Sequence, residues 1–100
     1  MENALLTIDQ IKAIAVPIAR RYGARRLSLF GSYARGDATE DSDIDVVVFG
    51  GHQFNKTDIF AFAEDLRELT GKNVDAFEIH EINEGTSFYE TVMKEGKRIA

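Results

Sequence analysis

The sequence predicts a layered domain in which strands and helices alternate, of the α/β or α+β class. Three observations carry that expectation. Val46-Val47-Val48-Phe49 is an uninterrupted apolar run of the kind that fills a strand buried on both faces. Ile8, Ile11, Ala15, Ile18 and Tyr22 recur at helical spacing, and Ile59, Phe62, Leu66 and Leu69 do the same. Glycines stand where these segments stop, at Gly23, Gly50-Gly51, Gly71 and Gly96.

In chain order, Thr7 followed three residues later by Gln10 is a capping box that opens the first helix. Pro17 lacks a backbone donor and crowds the carbonyl four residues back, so a kink or break is expected between Ala13 and Pro17. Arg26 to Phe30 alternates in polarity and reads as a strand leading into Gly31. Ser32 to Arg35 is one helical turn before Gly36, and Asp37 to Ser42 is a polar loop. A second strand begins with Asp43 and Asp45 and runs to Phe49. Asn55 or Thr57 caps the next helix, which carries the Ile59, Phe62, Leu66, Leu69 stripe. Asn73 to Ile79 reads as a third strand, with Asn73, Asp75, Phe77 and Ile79 on one face. Ser87 with Glu90 is a second capping box, and Lys97 to Ala100 adds an edge strand.

One hundred residues, 44% hydrophobic and 29% charged, fit a single domain over 1–100. A net charge of −5 argues against direct nucleic-acid binding, which needs a basic surface to displace counterions. The absence of cysteine excludes disulfides and zinc thiolates. No apolar stretch has transmembrane length, and Met1-Glu2-Asn3 lacks the basic start of a signal peptide, so a cytoplasmic protein with no membrane partner is expected.

The chemistry concentrates between residues 29 and 49. Asp45 abuts the valine run, where a carboxylate is costly unless a charge compensates it. Asp43 and Asp45, two apart on a strand, project to one face about 6.6 Å apart and together attract a divalent cation. Mg2+ binds through carboxylates and substrate phosphates together, so such a pair needs a phosphate holder nearby. Gly31-Ser32 fits that need: the glycine lets backbone approach a ligand, and Ser32 offers a hydroxyl. Arg35 is placed to reach a triphosphate, although an arginine on a short turn is as often a surface residue. Asp75 is again a carboxylate among apolar neighbours. Tyr33 reads as a packing or interface residue, His52 and His80 as surface residues, and Phe54, Phe60 and Phe62 as core, with a partner surface the alternative for Phe60, which lies off the main stripe.

Gly31-Ser32, ten residues, then Asp43-Ile44-Asp45 resembles the signature of the DNA polymerase beta-type nucleotidyltransferases. The fuller run Leu29-Phe30-Gly31-Ser32-Tyr33-Ala34-Arg35-Gly36 with Ser42-Asp43-Ile44-Asp45 resembles its minimal nucleotidyltransferase branch. The resemblance implies the nucleotidyltransferase fold, a mixed sheet of about four strands with helices on one face. It implies that Asp43, Asp45 and Asp75 are the metal-binding and catalytic carboxylates, and that Gly31 and Ser32 hold the phosphates of ATP. Mg2+ or Mn2+ would be the cofactor. It further implies transfer of AMP to a hydroxyl, such as a tyrosine of a partner protein, with a helical HEPN-type toxin as that partner in a toxin-antitoxin pair. Two other readings compete: a nucleotide-binding module that silences a partner by covering it, and a small-molecule nucleotidyltransferase, which usually needs a second domain.

Overall fold

The computed structural model of the chain describes residues 5–52 and 54–100; Met1-Glu2-Asn3, which bore on the signal-peptide argument, lie outside them. A mixed four-stranded sheet organises the rest. β1 (Ala24–Phe30), β2 (Ile44–Gly50), β3 (Val74–Glu78) and β4 (Lys97–Arg98) stand in the order β3-β2-β1-β4. β1 is antiparallel to both β2 and β4, whereas β2 and β3 are parallel. Parallel strands need a long crossover, and α3 (Asp58–Thr70) supplies it.

α1 (Ile8–Arg21) and α3 pack on one sheet face. Their Ile11, Ala15, Ile18, Ile59, Phe62 and Leu66 meet Leu27, Leu29, Ile44, Val46 and Val48. Val47 has the opposite parity and is also fully buried, because Ile82 and Val92 cover it from the other face. A short helix, α4 (Ser87–Glu95), brings Val92 there, so the second face carries a smaller apolar cluster of its own. Each such side chain contributes about 1.5–3 kcal/mol on burial, and β2, covered on both sides, anchors the sheet.

The capping box at Thr7 forms: Thr7 Oγ1 accepts from the Gln10 amide at 3.0 Å, and Gln10 Oε1 from the Thr7 amide at 2.8 Å. α1 then runs unbroken through Pro17, so of the kink or break expected there the break does not occur. Pro17 and Ala13 both lie on the exposed side, where water can satisfy the carbonyl that loses its partner. Leu69 also departs from expectation, being 63% exposed, with Ala63 taking its place on the buried stripe. The start of α3 is held by Asp58, whose carboxylate accepts from the Asn55 amide at 2.9 Å, while Thr57 makes no side-chain cap. At α4 the cap is Thr86, not Ser87. Its hydroxyl accepts from the Tyr89 amide and donates to the Asn83 carbonyl at 2.7 Å, two hydrogen bonds that fix the helix start one residue early.

Candidate active site

The site is built where β1 ends and β2 begins. Gly31 follows the last residue of β1 and opens α2 (Gly31–Arg35), a single helical turn closed by Gly36. Gly31 has φ +71°, and a Cβ there would run into Asp45 Oδ2 and lie 3.2 Å from its Cγ. Only glycine lets α2 start this close to the carboxylate.

Strand register assembles the acids. Asp45 is paired across the sheet with Asp75 on β3, and with Phe30 on β1. Asp43 directly precedes β2 and is exposed, as is Asp75, while Asp45 is half-buried. Burial raises the Asp45 pKa to about 6, helped by the charges of Asp75 and Asp43 and by a hydrogen bond shared with Asp75; Arg35 pulls it back down. Thus the structure brings together Asp43, Asp45, Asp75 and Gly31, with Arg35 in electrostatic range and Ser32 on the adjoining turn. Arg35 meanwhile pairs with Asp37 at 3.3 Å and Glu95 at 3.4 Å.

Hard oxygen donors crowded against one another suit a hard divalent cation, which would relieve the repulsion borne by Asp45. Among the described residues no three carboxylate, imidazole or thiol groups close into a metal cage. A cation held by these acids therefore keeps positions for other oxygen ligands, phosphates included.

The raised pKa has a measurable consequence. An acid whose folded pKa exceeds its unfolded value contributes stability that is present below the unfolded pKa and lost as pH rises through the folded one. Without added metal, the Tm should fall more steeply between the ordinary 3.8 and about 6 than it does in Asp45→Asn. Mg2+ should raise it more at about pH 7.5 than at about pH 5. Parallel melting profiles for the two chains would show that Asp45 is not under this strain.

Sequence reasoning missed two features. Lys72, only 7% exposed, donates from Nζ to the Glu40 carbonyl at 2.8 Å and pins the loop that delivers Asp43. With Asp41, Asp43 and Asn73 it lines a polar cavity of about 230 Å³. After Gly71 it reads as an ordinary loop lysine, and no local signal marks it. The other feature is a cluster of Phe30, Phe77 and Phe88 on the carboxylate face. The larger cavity, about 510 Å³, lies at the opposite end of the sheet, where β2 finishes at Gly50, and is lined by Arg25, His52, Phe54 and His80. His80 there pairs with Glu78 at 2.9 Å on the surface, and Tyr33 is a core residue. No helix among the described residues is long and apolar enough to cross a membrane.

A Methanocaldococcus jannaschii protein, named for protein adenylyltransferase activity, is 37% identical over 78 residues, which is 78% of this chain and 84% of the relative. The protein adenylyltransferase MntA of Thermococcus cleftensis is 32% identical over 96 residues, covering 92% of this chain and 95% of its own. A crystal structure of a toxin-antitoxin with AMP-PNP shares the fold, with a TM-score of 0.77 at 22% identity over 89% of this chain and 72% of that one. The family model for polymerase beta nucleotidyltransferases matches residues 13–100. Since that match takes in the glycine turn, all three aspartates and all four strands, the chain belongs to the polymerase beta-type nucleotidyltransferase family.

Proposed function

We propose that this chain transfers AMP from ATP to a tyrosine hydroxyl of a partner protein, as the antitoxin of a pair whose other member is a helical HEPN-type toxin. The observation that carries the chemistry is Asp45, crowded by Asp75 and Asp43 and pressed against Gly31. The acceptor class follows the adenylyltransferase names of the two relatives. The toxin setting follows the assembly that shares the fold.

In this reading Asp43 and Asp45 would hold Mg2+ or Mn2+, and Asp75, opposite Asp45 on β3, would join them as the cation draws the acids together. The metal, when bound, neutralises charge on the phosphate oxygens of an in-line displacement. Gly31 and Ser32 receive the β and γ phosphates through close backbone approach and a hydroxyl donor, and Arg35 adds positive charge beside them. β2 lies between β1, which ends at Gly31, and β3, which carries Asp75. Pyrophosphate therefore leaves toward Gly31 while the acceptor enters on the side of Asp75. The acceptor oxygen bonds to the α-phosphorus, the bond to pyrophosphate breaks, and Asp75 takes the hydroxyl proton.

Intact-mass spectrometry of the cognate partner after incubation with this chain, ATP and Mg2+ tests the reading. The expected result is a gain of AMP units, absent with Asp43→Asn. If both chains silence the partner equally and no mass is gained under any divalent metal, the chain acts by covering its partner and the transferase reading fails.

A further inference from the structure

Three phenylalanines stand beside the carboxylates without a part in the transfer just described. Phe30 is the cross-strand partner of Asp45, and Phe77 follows Asp75 by two residues, so both rings share the face of the acids. Phe88, from the first turn of α4, completes the group. Its ring lies edge-on to both others, 5.6 Å from Phe30 and 5.4 Å from Phe77, which are themselves 6.1 Å apart. Phe30 is 8% exposed, whereas Phe88 is 38% exposed. A buried ring, Phe30, and a partly buried one, Phe77, thus brace a third that reaches solvent, in the edge-to-face arrangement that aromatic pairs favour.

We infer that Phe88, braced by Phe30 and Phe77, seats the nucleobase of the donor nucleotide. The inference rests on the roles given above to Gly31, Ser32 and the aspartates. Pyrophosphate and acceptor occupy the direction across the strands, on either side of Asp45, so the nucleoside must leave along them. Toward the start of β2 it would meet Glu40, Asp41 and Asp43, an acidic and polar surface with no aromatic group. Toward the interior of the sheet it meets Phe77, one strand step of about 6.6 Å past Asp75, with the Phe88 ring lying against it. Every nucleobase has a π-face, and stacking on an exposed aromatic ring holds it without a hydrogen-bonding pocket.

The chain contains no tryptophan, so Phe88→Trp places a single fluorescent reporter at the proposed seat. MgATP should change its emission and magnesium tripolyphosphate should not. Phe88→Ala should weaken MgATP binding by about tenfold, the usual size of a lost base-aromatic stack, and leave tripolyphosphate affinity unchanged. Phe88→Leu, which keeps the apolar packing, should melt like the wild type yet still lose ATP affinity. Unchanged MgATP affinity in Phe88→Ala overturns the inference, as does equal loss of ATP and tripolyphosphate binding. Intact ATP binding with lost transfer to the partner would make the ring an acceptor seat and overturns it too. If the wild-type chain binds no MgATP, or Asp45→Asn binds it equally well, the carboxylate reading fails and takes this inference with it; only a defect confined to the Phe88 variants separates the two.

Discussion

Asp45→Asn is expected to abolish nucleotidyl transfer while making the folded chain more stable above about pH 6. The two effects have one cause. Asp45 is held half-buried among Asp75 and Asp43, so its ionised form is disfavoured without a cation, and its pKa rises to about 6. Asparagine has nearly the same shape and no charge, and its amide can donate to Asp75 in place of the carboxyl proton. The repulsion disappears, and so does the carboxylate that the proposed transfer would use to hold a cation. Transfer should drop by at least about a hundredfold, since losing even an outer-shell partner of a metal can cost that much. Asp43→Asn should cost comparable activity with little gain in stability, because Asp43 is exposed and water already screens its charge. Thermal melts at pH 7.5 with calorimetric MgATP titration of both variants check this. A destabilised Asp45→Asn, or one that retains MgATP affinity, would contradict the site as described.

Gly31→Ala should be the most damaging change of a single methyl group in the chain. At φ +71° an L-residue is strained by about 1–2 kcal/mol. The new Cβ would also occupy the space of Asp45 Oδ2, and overpacking of this kind typically adds about 1–3 kcal/mol. Relief requires either that Asp45 rotate away from the acids or that α2 lift from the sheet, and either movement separates the Gly31 turn from the carboxylates. A loss of at least about 2 kcal/mol in denaturant unfolding is expected, together with loss of MgATP binding. Gly36→Ala is the matched control, because Gly36 also has positive φ, +85°, but nothing lies within 4 Å of its would-be Cβ. It should show the backbone strain alone. Equal effects at the two glycines would mean that contact with Asp45 contributes nothing.

Much of this protein is determined by short-range pattern. The valine run, the helical stripes, the box at Thr7 and the glycine stops each depend on residues a few positions apart, and all the main elements formed where those signals stand. The spacing of Gly31-Ser32 and Asp43-Ile44-Asp45 was equally legible, because a strand, a turn and a strand carry it. Local pattern did less well where burial depends on a neighbour: Leu69 fits its helical stripe but is left exposed, and Thr86 displaced Ser87 because it also reaches the Asn83 carbonyl. What only the tertiary structure decided is which distant groups share space. The parallel register of β2 and β3 sets Asp75 against Asp45. The start of α2 leaves no room for a side chain at Gly31, Lys72 reaches back to the Glu40 carbonyl, and α4 lays Phe88 against Phe30 and Phe77. None of these has a period to read, since each depends on how strands register and helices dock after the local elements exist. The acids could be named from the sequence, but the burial and repulsion that raise the Asp45 pKa arise only when the sheet closes.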